Sequence, residues 1–229
     1  MSAELREKAL ARGARRSSLL FYRVARAFLR RVVNPYLRLR SENTDVLDLP
    51  GATVLAPVHR SNLDSALLAT KSARRIRALG KESLFTTPGV AWVCAALGAI
   101  PVRRGEADRD ALKAAKALLD AGETMIVFPE GGRQHGSEVA ELFDGAAWLA
   151  ARTGARVIPV GIAGTGDAMP EGARWIHRST VAIVPGDPMD PPVGPEGKRA
   201  SRADLQAFTA ELSAQLQKAQ DRAEALAAE

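Results

Sequence analysis

The chain has 229 residues, 46% of them apolar and 25% charged, which suits one globular α/β domain, with or without a terminal helix, and excludes a disordered chain. One cysteine, Cys94, in an apolar run, excludes an internal disulfide and reads as a buried, inert thiol; three histidines without metal-ligand spacing argue against a zinc site. The net charge of +6 is unevenly spread: residues 1–40 hold ten Arg and one Lys against Glu4 and Glu7, which is +9, so the remainder is −3. The basic character belongs to one segment and points to an anionic surface, either a membrane or a nucleic acid. No cleavable signal peptide is recognisable at the N-terminus, which predicts action in the cytoplasm.

Residues 19–33 read as a helix. Phe21, Val24, Ala25, Phe28 and Val32 share one face, Arg23, Arg26 and Arg30 the other, and Asn34-Pro35 marks the end. The arginines interrupt the apolar run, so the segment does not suit a bilayer span. It does suit the interface, with rings among acyl chains and guanidinium groups near lipid phosphates. Nucleic-acid binding accounts for the arginines but not for the aromatic face. A helix packed on the domain with a solvated basic face is the alternative, and the two can both hold.

After Leu49-Pro50, short apolar runs alternate with helical patterns. Residues 52–58, 99–102, 124–130, 156–164 and 180–186 read as strands, and residues 63–71, 109–122 and 139–154 as helices. Ser201 with Asp204 forms a capping box before a last helix with Leu205, Phe208, Leu212 and Leu216 on one face. Strands separated by helices predict an α/β fold with a mostly parallel central sheet flanked by helices.

Four stretches could carry chemistry. In the first, His59 follows a strand and Asp64 lies one turn into the next helix. The spacing fits a capping box between Ser61 and Asp64. It also fits a carboxylate that holds an imidazole in one tautomer, making His59 a general base. In the second, Arg103 and Arg104 follow an apolar strand, where guanidinium groups can fork onto phosphate oxygens or form a solvated turn. In the third, a buried strand ends at Glu130, followed by Gly131, Gly132 and Arg133, a plausible anion cradle or an ordinary glycine turn. The fourth, residues 157–166, reads as a packed wall.

Taken together, these blocks resemble the glycerolipid acyltransferases, the 1-acylglycerol-3-phosphate acyltransferase family. The H-x-x-x-x-D block is His59 and Asp64, the glycine-to-arginine block is Gly98 and Arg104, the F-P-E-G-x-R block runs from Phe128 to Arg133, and V-I-P-V from Val157 to Val160. The resemblance covers about residues 50–190. It divides the chain into a basic amphipathic membrane-interface segment, 1–49, and an acyltransferase domain, 50–229. It implies acyl transfer from an acyl-CoA or acyl carrier protein thioester to a lysophospholipid hydroxyl, without a cofactor or metal and without nucleic acid. His59 and Asp64 would be the catalytic pair. Arg103, Arg104 and Arg133 would hold the acceptor phosphate, with Glu130 and Gly131 shaping that pocket. The site would work as a peripheral protein on the cytoplasmic face of the cell membrane, against anionic membrane lipids.

The chain departs from the pattern at Gly132 and Gln134, where Thr and Ser are usual, and at Val58 and Asp144. Lysophosphatidic acid is the acceptor implied first. Glycerol-3-phosphate, another lysophospholipid or a glycolipid stay open, as does a silent membrane-binding relative.

Overall fold

The apolar runs become strands because they are short, rich in Val, Ile and Leu, and bounded by glycine, proline or helix-forming segments. In the computed structural model, which describes residues 3–102 and 109–229, the strands are β1 (Arg40–Ser41), β2 (Thr53–Pro57), β3 (Ile76–Lys81), β4 (Ala99–Val102), β5 (Thr124–Ile126), β6 (Arg156–Ala163) and β7 (Ala182–Pro185). They form one sheet in the order β1-β7-β6-β2-β5-β3-β4. Neighbours are parallel except β6 and β7, which are antiparallel. This is the expected α/β fold with a mostly parallel sheet.

The helices are α1 (Ala3–Gly13), α2 (Arg16–Phe28), α3 (Asn34–Tyr36), α4 (Asp64–Leu68), α5 (Pro88–Ala96), α6 (Arg109–Asp120), α7 (Gly145–Thr153), α8 (Thr165–Ala168) and α9 (Arg202–Ala228). They cover both faces of the sheet, and the two-residue period of the strands divides the core. Leu55 packs with Leu67, Ile126 and Ile158 on one face. Val54 and Ala56 pack with Met125, Leu149 and Leu212 on the other. Each of the larger side chains among these contributes about 1.5–3 kcal/mol by leaving water. The Ser201–Asp204 capping box opens α9 as expected. Its backbone then lies so close to β6 that a Cβ at Gly161 would sit 2.1 Å from the Ala219 carbonyl oxygen.

Several boundaries differ from the sequence reading. The helix expected to stop at Asn34-Pro35 continues to Tyr36, because a π turn over Leu29–Val33 precedes the proline, with Asn34 N–H donating to Leu29 C=O. The strand expected over 124–130 pairs only as far as Ile126, and the helix expected from 139 begins at Gly145. Between them, tertiary acceptors take the backbone donors. Val139 N–H goes to Gln217, Ala140 N–H to Glu130 and Phe143 N–H to the Pro129 carbonyl. α1, β3 and α5 were not read from the sequence.

Arg26 is the largest reversal on α2. Its guanidinium turns inward, donating to the carbonyls of Ser72, Ala73 and Arg74 and lying 5.5 Å from the Tyr22 ring. Tyr22 is itself buried and its hydroxyl accepts from Ile76 N–H. Arg26 and Tyr22 thus dock α2 on the body of the molecule, and residues 40–41 add an edge strand to the sheet.

Candidate active site

The strand order assembles the site. β2 and β5 are parallel neighbours in the register Thr53↔Thr124 to Leu55↔Ile126. Their carboxyl ends therefore emerge side by side, the usual place for a site in an open α/β sheet. His59 follows β2 and Glu130 follows β5.

His59 and Asp64 meet. The imidazole Nδ1 lies 2.9 Å from Asp64 Oδ2, with His59 at 5% exposure and Asp64 at 0%. The same Oδ2 accepts the backbone N–H groups of Arg60 at 2.7 Å and Ser61 at 2.8 Å. An oxygen that already accepts two N–H donors must face the imidazole as an acceptor. Nδ1 therefore carries the hydrogen, which leaves Nε2 of the neutral ring with a lone pair. Phe128 stacks on the imidazole, with ring centroids 3.8 Å apart and planes inclined by 19°. The capping box is only half formed. Asp64 receives Ser61 N–H, but the Ser61 hydroxyl donates to the Met169 carbonyl instead of accepting from Asp64 N–H.

Glu130 holds the other side of this turn. Its Oε2 accepts the His59 N–H at 2.8 Å, and both oxygens accept from Arg60 Nη1, at 3.0 and 2.9 Å. Ala140 N–H supplies a fourth bond. The Arg60 and Glu130 side chains are 7% and 0% exposed, so this is a buried ion pair with its lone pairs satisfied. Glu130 thus orders an arginine and the histidine backbone, and its carboxylate is turned inward.

Beside the imidazole opens an apolar cleft of about 480 Å³. Phe21, Ala25, Phe28 and Leu29 from α2 and the π turn form one wall, Ala66 and Ala78 belong to another, and His59 and Phe128 close one side. Lys81, exposed at the end of β3, also borders it.

Gly131 sits at φ +71°, which favours glycine, and a Cβ there would displace the exposed Phe143 ring, 2.7 Å away. The loop is tied to the His59 turn by Gln134 N–H donating to the His59 carbonyl at 2.8 Å. Arg133 does not point to an unshared position. Its Nη2 donates to Glu171 Oε1 at 2.6 Å. Arg103 and Arg104 lie outside the described residues. Val157, Ile158 and Val160 are fully buried in β6, a packed wall as read.

The sequence and the fold resemble those of known proteins. Residues 38–163 match the family model named Acyltransferase, more than half of the chain. The chain belongs to the acyltransferase family. The chloroplastic 1-acyl-sn-glycerol-3-phosphate acyltransferase of Arabidopsis thaliana is 28% identical over 66% of this chain and 44% of its own length. A chloroplastic relative of the same name from Brassica napus is 31% identical over 62% of the chain and 42% of its own. The chain thus spans less than half the length of these curated relatives. The crystal structure of the 1-acyl-sn-glycerophosphate acyltransferase PlsC from Thermotoga maritima superposes with a TM-score of 0.69 at 25% identity, covering 88% of this chain and 79% of that one. The family match spans all four motif blocks.

Sequence reasoning did not single out Arg60, Phe128 as a stacking ring, or the α2 wall. Arg60 had a signal, since a buried strand-end glutamate needs a cation and Arg60 adjoins the histidine. The stacking had none, because it arises only when β2 and β5 lie side by side.

Proposed function

We propose that the protein transfers a fatty acyl chain from a thioester, acyl-CoA or acyl carrier protein, to the free hydroxyl of lysophosphatidic acid, giving phosphatidic acid. The observation that carries this reading is the His59–Asp64 pair, with Nε2 left as a base, beside a cleft apolar enough for an acyl chain. His59 Nε2 takes the hydroxyl proton as the oxygen attacks the thioester carbonyl carbon. The tetrahedral intermediate collapses, the C–S bond breaks, and the imidazolium returns the proton to the departing thiolate. Asp64 orients the ring and stabilises its charged form. The thioester is already activated, so no serine or cysteine nucleophile is required. Holding both substrates in line supplies much of the remaining acceleration.

Arg133 is a candidate for the acceptor phosphate, as are Arg103 and Arg104 by their place in the family pattern. Glu130 acts on that pocket through Arg60, and Gly131 by admitting Phe143.

The membrane reading rests on α2, the π turn and α3. Leu20, Val24, Phe28, Val32 and Tyr36 recur at every fourth position and are 46–62% exposed. Among the described residues no helix is long and apolar enough to cross a membrane. The stripe suits a helix lying in the interface of an anionic bilayer. Phe28 belongs both to the stripe and to the cleft wall, so lipid could pass from one to the other.

The test is thiol release from oleoyl-CoA with lysophosphatidic acid, with His59→Ala as control. Acceptor-dependent release should fall by a factor on the order of 10³ in the variant. A folded variant with near wild-type rates would remove His59 as the base. Release with glycerol-3-phosphate or another lysophospholipid, but not with lysophosphatidic acid, would reassign the acceptor.

A further inference from the structure

A second recess, of about 510 Å³, lies on another side of the segment that walls the apolar cleft. Phe28 and Leu29 face the cleft, whereas Arg30 and Asn34 face the recess. Arg30, Arg38 and Lys71 line it together with Ser41, Thr44 and Thr70. No carboxylate lines it. Of the acids close by in sequence, Glu42 is paired with Arg222, Asp48 accepts from Ser72 and from the backbone of residues 73 and 74, and Asp45 is not in the lining. None of the three cations has an ion-pair partner among the described residues.

Two features of this cluster are costly. Burial, and then the charge of Arg30, push the Lys71 ammonium below the usual lysine range, so like charges are held close where water is partly excluded. Arg38 occupies the left-handed position that ends α3, at φ +44°, with Arg38 N–H donating to Pro35 C=O and Leu39 N–H to Asn34 C=O. Glycine fills such a position with less strain. An anion in the recess relieves the charge repulsion directly. Two guanidinium forks, an ammonium and the Ser41 and Thr44 hydroxyls, the Thr70 hydroxyl being spent on the Leu67 carbonyl, offer donors for several oxygens around one doubly or singly charged centre, which matches phosphate better than a planar carboxylate.

We propose that the recess bounded by Arg30, Arg38 and Lys71 binds a phosphate group, separate from the acceptor phosphate at the His59 cleft. The phosphate belongs either to a soluble phosphate ester or to the headgroup of an anionic lipid. The site does not depend on the acyl-transfer reading.

The test uses the full chain, as wild type and as His59→Ala, titrated with inorganic phosphate at constant ionic strength while backbone amide resonances are followed. The resonances of Ser41, Thr44 and Lys71 should move together and saturate in both proteins. In Arg38→Gln/Lys71→Gln the apparent affinity should fall at least tenfold, and in Lys71→Gln alone severalfold, with the spectrum elsewhere unchanged. Arg202→Gln/Lys218→Gln, which removes the same charge from α9, should bind as wild type. Cosedimentation with phosphatidylglycerol vesicles then separates the sources. A severalfold loss in the recess variant but not in the α9 control assigns a lipid headgroup, and equal sedimentation with lost inorganic phosphate binding assigns a soluble ester. If the three resonances do not saturate and the recess variant sediments like the α9 control, the site does not exist.

Discussion

The turn that carries His59 and the loop that carries Arg133 lie side by side, yet they are built to opposite standards. In the turn, the His59 N–H, the Arg60 and Ser61 N–H groups and the imidazole Nδ1 all have short bonds to buried carboxylates, and the Ser61 hydroxyl donates to the half-buried Met169 carbonyl. In the loop, the arginine is secured by one bond to Glu171, whose side chain is 64% exposed. The contrast fits the proposed roles: proton transfer tolerates little error in distance and calls for over-determined residues, whereas recognition of a phosphate is a charge interaction that survives some movement. The difference makes separate demands on stability, on rate and on acceptor affinity, and each can be broken alone.

Glu130→Gln should break the most. It leaves the buried Arg60 guanidinium without its counter-charge, which costs roughly 3–5 kcal/mol. The urea midpoint should drop accordingly, and acyl transfer should fall with it because the His59 N–H loses a strong acceptor. An unchanged midpoint would mean that the backbone carbonyls on Arg60 suffice.

Asp64→Asn should leave more standing. Oδ2 carries all the hydrogen bonds of the carboxylate, while Oδ1 is buried without a partner. The two backbone N–H donors select the amide oxygen for the Oδ2 position, so His59 Nδ1 still donates and the tautomer is kept. What is lost is the charge opposite the imidazolium, together with about 1–3 kcal/mol for a buried amide donor in place of Oδ1. The expected fall in kcat is roughly 10–100-fold, against about 10⁴-fold when such a substitution inverts the tautomer. A fall as deep as that of His59→Ala, at unchanged KM, would show that the orientation was lost too.

The same contrast separates what could be read from the residues from what could not. His59 with Asp64 and the α9 capping box were legible because local spacing alone brings their groups together. The path of residues 131–144 was not. Its helical pattern, including Val139 and Leu142, is overridden by Gln217, Glu130 and the Pro129 carbonyl, which take the donors a helix would need. Arg26 was misread for a related reason. Helical periodicity puts it with the polar face, but the carbonyls that draw it inward come from residues 72–74, far away in sequence. The four motifs announced the family, while the wall of the cleft depended on where α2 docks.

Glu171→Gln should have the smallest effect and the most direct bearing on the acceptor. The Arg133–Glu171 pair is partly exposed, and such pairs contribute about 0–1 kcal/mol, so the urea midpoint should not move measurably. If Arg133 holds the acceptor phosphate as proposed, the bond competes with it for the same guanidinium. Removing the charge of Glu171 should lower KM for lysophosphatidic acid by about two- to fivefold, the equivalent of up to about 1 kcal/mol, at constant kcat. A substrate without a phosphate should show no such gain. If KM instead rises, Glu171 holds Arg133 in its binding position and the loop is less slack than its exposure suggests. If KM is unchanged for every phosphate-bearing acceptor, Arg133 does not meet the phosphate, and that task passes to other cations such as Lys81 at the cleft.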